Sequence, residues 1–249
     1  MDLLTVGLFL LIVAFAAITQ TITGFAMGLI IVAVSTALDI MPLLEVTAII
    51  SIISMVNIIL VLRGTVSRID VKVLGQIALG LVPSLVVGFW WLDQFAMIWD
   101  QGLKMVLGFM VMTAGISMML KPGRWRNRSG PFVTVGTGLL GGLFGGLYSA
   151  AGAPIAYLIY RQPLAIAVIR STLLAIFLLS TTLRAGIGVA YGHFTGPVVM
   201  QTAMALPLVI LISVALKSVL QALPEVWVRR WVFLVLQGVG AWLIIQPVL

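Results

Sequence analysis

The chain has 249 residues, of which 62% are hydrophobic and only 8% charged, and its mean hydropathy is +1.23. That composition excludes a soluble globular domain and leaves length for about eight to ten bilayer crossings at ~20 residues each. The formal charge of +7 comes from Lys and Arg at segment ends, where they set topology, so no nucleic-acid partner is expected. Cys is absent and His193 is the only histidine, which rules out thiolate metal sites and a His-based metal cluster. No metal and no cofactor are expected.

In chain order, the first uncharged run extends from Leu3 to Leu38, well past the apolar core of a signal peptide, and Asp2 stands where a basic n-region would be. The run is read as retained. It is too long for one untilted span, and Thr19, Gln20, Thr21, Thr23 and Gly24 near its middle predict a break into two short helices. Spans follow at about Val46 to Leu62, Val73 to Leu92 and Met105 to Leu120. The second half continues with Pro131 to Tyr160, a long run crowded with glycines (GTGLLGGLFGGLYSAAGAP) and carrying no charge between Arg128 and Arg161. Leu164 to Tyr191, Pro197 to Leu216 and Trp231 to Leu249 complete the chain. Trp90, Trp91, Trp99, Trp227 and Trp231 fall at span ends, as an interfacial aromatic belt does.

The halves read as copies. Gly24 and Gly146, Pro42 and Pro163, Pro83 and Pro207, and Gly115 and Gly240 match at slowly drifting separations of 122, 121, 124 and 125 residues. Residues 1–120 then form a first membrane repeat, 121–130 a basic cytoplasmic linker and 131–249 a second repeat. Arg63, Arg68 and Lys72 fill one loop, and Lys121, Arg124, Arg126 and Arg128 fill another two spans later, so both are expected to be cytoplasmic. Arg161 and the loop with Lys217, Arg229 and Arg230 join them only if each long broken segment counts as two passes or a re-entrant hairpin. Five passes per half place the termini outside and make the repeats inverted. The expected fold class is therefore an all-α polytopic membrane protein of two inverted-topology repeats with broken or re-entrant helices, an architecture of secondary transporters.

Few polar groups lie at membrane depth. Thr23, Gly24, Phe25 and Gly28 of the first broken segment would oppose Gly145, Gly146, Tyr148, Ser149 and Gly152 of the second. Helix N-termini at such breaks present free N–H groups and a positive dipole end, which suits an anion. Close helix packing is the alternative for the same glycines, and both can hold at once. Asn57, with Ser51 and Ser54, could complete the site or bond between helices. Arg170 stands seven residues past Pro163, ~10 Å along its helix and inside the hydrocarbon core. With Ser171 and Thr172 it is a candidate substrate-binding group; the alternative is a structural ion pair with Glu45. Arg184, fourteen residues on and within ~40° of the same face, with Ser180 or Thr181 and Thr172 or Leu174 between, could extend a stripe that guides an anion, but snorkelling at the external end is the favoured reading.

The runs GLLGGLFGGLYSAAGAPIAYLIYRQP and VIRSTLLAIF resemble the second-repeat signature of the sulfite exporter TauE/SafE family, and TITGFAMGLIIV resembles its first-repeat counterpart. The resemblance covers nearly the whole chain. It implies a bacterial inner-membrane permease that moves sulfite, sulfonates or other small organic anions, usually outward, and it carries Gly145, Gly146, Gly152, Pro154 and Arg170 over as site candidates. Where many members keep a denser glycine run, this chain has Tyr148, Ser149, Ala150 and Ala151. The expected partners are the small anion, the lipid bilayer and, as a candidate, a second copy of the chain. An intramembrane enzyme would need paired carboxylates, a His cluster or a nucleophile with its base, and none is visible in the spans. A structural subunit of a membrane complex would need no buried Arg.

Overall fold

A computed structural model describes residues 3–23, 25–119, 125–215 and 225–246. Among these the chain is all helical: α1 (Leu3–Thr23), α2 (Met27–Ala37), α3 (Leu43–Leu62), a 3-10 turn (Val66–Arg68), α4 (Val71–Phe95), α5 (Asp100–Met119), α6 (Pro131–Tyr148), α7 (Gly152–Arg161), α8 (Ile166–Ala190), α9 (Gly196–Ala215) and α10 (Glu225–Ile245). Six of them, α1, α3, α4, α6, α8 and α9, are long and apolar enough to cross a bilayer, and α2 and α7 are half that length. Both long uncharged runs are broken, each into a long helix followed by a short one.

The first break falls later than the polar cluster suggests. Thr19, Thr21 and Thr23 each return a hydroxyl to the carbonyl four residues back, on Phe15, Ala17 and Thr19, so these side chains are satisfied inside a continuous α1. The helix stops after Thr23, whose hydroxyl also donates to the carbonyl of Phe25 at 2.9 Å. Each break contains a non-glycine residue in the left-handed region, Ala26 at φ 84° and Ser149 at φ 55°. They stand 123 residues apart, in line with the separations of the sequence matches.

Two glycine seams bring helices into near contact. Along α6, Gly138, Gly142 and Gly146 lie on the backbone of α4 at Ile77, Leu81 and Leu85, while Gly80 and Gly88 of α4 lie on α6 at Val135 and Leu143. Residue numbers rise together across this seam, so α4 and α6 are parallel. In the second seam Gly108 of α5 meets Gly240 and Ile244 of α10, and Gly115 meets Gln237, an antiparallel register. Hydrocarbon offers no hydrophobic drive for helix association, and small residues replace it by letting backbones approach.

The connections gather at two ends. At one, Arg128 pairs with Asp70 at 3.1 Å, the Trp125 N–H donates to the Arg161 carbonyl at 2.8 Å, and the Ser129 N–H donates to Gln162 Oε1 at 3.0 Å. Arg161 there lies 4.5 Å from the ring centre of Tyr157. At the other end Lys104 ties Asp39 and Asp100 together at 2.9 and 3.0 Å, and Gln246 donates to Asp39. Among the described residues the first end carries Arg63, Arg68, Lys72, Arg126, Arg128, Arg161 and Arg230, with Asp70 among them. The second carries Asp39, Glu45, Asp93 and Asp100 against Lys104 and His193. These are called the basic and the acidic end below.

Candidate substrate path

The two breaks meet in the interior. A Cβ on Gly28 would sit 2.5 Å from the Ser149 carbonyl oxygen, so the start of α2 abuts the turn between α6 and α7. Ser149 is fixed in turn by its hydroxyl, which donates to the Thr47 carbonyl of α3 at 2.8 Å. Between the breaks lies a cavity of about 40 Å³ lined by Gln20, Phe25 to Leu29, Ser54, Ser149 to Ala153, Phe177, Ser180 and Thr181. At ~10–15 Å³ per water it has room for about three waters, the size class of a compact oxyanion.

The first turns of both half-helices, Met27 to Leu29 of α2 and Gly152 to Ala153 of α7, line this cavity. Neither N-terminus is capped by a side chain, at Ala26 or at Ala151. Two uncapped N-termini therefore face one small space, each with unspent backbone donors and the positive end of a helix dipole. Gly152 leaves room there, since a Cβ on it would find its nearest neighbour, the Phe177 ring, at 3.6 Å. Gly145 faces the Ser180 hydroxyl on the same side.

A second space of about 390 Å³ opens toward the basic end, lined by Thr21, Ile22, Val61, Thr65, Arg68, Ile166, Ala167, Arg170, Ser171 and Leu174. It is stacked on the central cavity: α3 gives Val61 to one and Ser54 and Ile58 to the other, while α8 gives Leu174 to one and Phe177 to the other. Arg170 and Ser171 thus belong to a vestibule rather than to the cavity. The same lining shows that α3 and α8 run antiparallel. Glu45 therefore lies sixteen residues, ~24 Å at 1.5 Å per residue, back along α3 from Val61, and the structural pairing of Arg170 with Glu45 is set aside.

The remaining sequence candidates have other occupations. Gly146 is helical and faces α4 across the seam, one position round from Gly145. Tyr148 is fully buried and donates its hydroxyl to the Leu103 carbonyl at 2.8 Å. Asn57 accepts from the Ser213 hydroxyl at 2.6 Å and donates to Met27 Sδ at 3.3 Å, tying α3 to α9 and α2. The Thr172 hydroxyl accepts the Asp70 N–H at 2.9 Å. The Thr23 carbonyl accepts the Tyr160 hydroxyl at 3.2 Å. Gly24 lies outside the described residues. Arg184 does not snorkel: it is 1% exposed and its Nε donates to the Gly146 carbonyl at 3.1 Å, because α4 and α6 close over the face of α8 that carries it. Gln20, read in the sequence only as part of the break, lines the cavity together with Phe177 and Ser180. For Ser180 the available signal was its place between Arg170 and Arg184 on one face of α8.

Six apolar spans, two half-helices abutting at a cavity and a second space stacked on it toward the basic end fit a multi-pass membrane permease. The chain belongs to the sulfite exporter TauE/SafE family, whose description it matches over residues 9–243. It is similar to the probable sulfite/organosulfonate exporter TauE of Cupriavidus necator, with 31% identity over 229 residues covering 92% of this chain and 90% of that one. No solved structure matches it significantly. Membership in a transporter family sets the enzyme alternative aside.

Proposed function

We propose that the chain is a secondary transporter of the bacterial inner membrane that exports sulfite or organosulfonates by alternating access. The observation that carries this reading is the convergence of two uncapped half-helix N-termini on one cavity. An anion there gains backbone N–H donors and two favourable dipole ends, each worth ~0.3–1 kcal/mol when exposed and more when dry, without a full countercharge that would hold it too tightly to leave. Ser149, Ser180 and Thr181 add hydroxyls. The vestibule with Arg68 and Arg170 gathers anions from the basic end, which the positive-inside rule makes cytoplasmic, and it has space for the organic tail of a sulfonate whose head occupies the cavity. Inverted repeats suit this picture, since among the described residues five helices per half follow the same order of long, short and long elements. The cavity is lined by elements of a single chain, so one copy is sufficient for the site, and lipid covers outward side chains such as Leu79, Val87 and Leu211.

The test is flux. Purified protein in liposomes loaded with labelled sulfite or a labelled short alkylsulfonate is expected to release either anion well above protein-free liposomes. Release no faster than in the protein-free control, for both anions, would refute the reading.

A further inference from the structure

The most deeply buried cation of the described residues lies outside the central cavity. Arg184 stands four residues beyond Ser180 on α8, so it shares a face with that cavity-lining hydroxyl and lies ~6 Å nearer the acidic end. Its Nε is bound to the Gly146 carbonyl, while Nη1 and Nη2 have no hydrogen-bond partner among the described residues. The guanidinium carbon is 5.3 Å from the ring centre of Phe89 on α4. No described carboxylate pairs with it: Asp93, one turn beyond Phe89, is engaged by His193 Nε2 at 2.7 Å, and the His193 ring stacks on Phe89 at 5.1 Å.

Arginine presents five N–H donors in a planar fork and stays charged. Capping the end of α6 at Gly146 uses one donor. The rest point into dry surroundings, an arrangement that is costly unless an acceptor arrives. Attraction to the face of Phe89 offsets part of that cost but satisfies none of the N–H groups.

We infer that Arg184 is a second anion-binding group of the path, taking the oxyanion head of the substrate through Nη1 and Nη2 as it passes from the central cavity toward the acidic end. The ligand class follows from the fork: an anion offering two oxygens side by side, as sulfite and sulfonates do, rather than a single-atom halide. The inference rests on the permease reading above and adds to it a site specific to one membrane face.

Right-side-out and inverted membrane vesicles from cells producing the full chain provide the test, with KM and kcat for labelled sulfite measured at each face. Arg184→Lys keeps a cation able to cap Gly146 but loses the fork. It is expected to raise KM at the acidic, outer face by about tenfold or more and to leave KM at the basic face within about twofold. Arg184→Gln is expected to show the same asymmetry more strongly. Equal changes at both faces, or an unchanged KM in Arg184→Lys, would overturn the inference and leave Arg184 as a cap on α6. If Arg184→Gln fails to accumulate, the Arg184→Lys measurement decides. Wild-type vesicles that take up no sulfite at either face would remove the permease reading and this site with it, whereas wild-type uptake with a flat KM in Arg184→Lys removes this site alone.

Discussion

Gly28 and Gly152 open the two half-helices, yet they have unequal room, and the difference is measurable. A side chain at Gly28 meets the Ser149 carbonyl, which is backbone held from α3 and cannot swing aside, whereas one at Gly152 meets only the Phe177 ring at ordinary contact distance. Gly28→Val is therefore expected to cut sulfite flux per folded molecule at least about tenfold, the result of forcing the two breaks apart by more than an ångström. Gly152→Ala is expected to stay folded and lose far less. Size-exclusion profiles and flux for the two variants check this, and equal losses would count against a cavity between the breaks. In the vestibule, Arg170→Gln is expected to lose most transport and Arg170→Lys to keep a fraction, because a point charge survives while the planar fork is lost. Glu45→Gln, at the far end of α3, should remain within about twofold of wild type in the same assay. A joint loss in Arg170→Gln and Glu45→Gln would contradict the antiparallel run of α3 and α8.

At the scale of elements, the sequence made the breaks visible and hid their detail. A run of uncharged residues too long for one span, dense in Gly and Thr, has to interrupt its helix somewhere, and both interruptions are present. Their exact positions depend on things no local pattern records. Thr19, Thr21 and Thr23 look like breakers in sequence but bond back into α1, and the left-handed residues turn out to be Ala26 and Ser149 rather than the described glycines beside them. Gly145 and Gly146 are neighbours in sequence but face opposite partners, Ser180 and α4, since one residue is 100° of helix. Arg184 reads as a snorkelling residue until α4 and α6 are seen to cover it. In each case the deciding contact comes from a distant element. The strain at the first break is testable: an alanine in the left-handed region costs ~1 kcal/mol, so Ala26→Gly is expected to raise the melting temperature by about 2–4 °C. A fall in melting temperature would mean that Ala26 is not held in that conformation.

For the whole molecule, the segregation of charge between the two ends gives a direct experiment. The chain has no cysteine of its own, so single cysteines report sidedness cleanly. Ser67→Cys, in the loop beside Arg68, is expected to react with an impermeant thiol reagent only from the cytoplasm, and Thr195→Cys, in the loop after His193, only from outside. Both sites are exposed. Reaction from the same side would remove the five-plus-five arrangement and with it the inversion of the halves. The segregation of charge was legible because it is written in a few Lys and Arg residues; the orientation of α4 beside α6 was not, since it depends on which glycines find each other across more than fifty residues of chain.

The glycine seams join α4 to α6 and α5 to α10, so each one unites a helix from the first half of the sequence with a helix from the second. The alternating-access cycle proposed above therefore cannot rock one half against the other, since that would tear open contacts in which backbone touches backbone. Each half is instead braided into the other, and neither owns a complete seam. Cut between residues 120 and 130 and made together, the halves are expected to reassemble and carry anions, while either half made alone is left with bare glycine edges in lipid and is degraded.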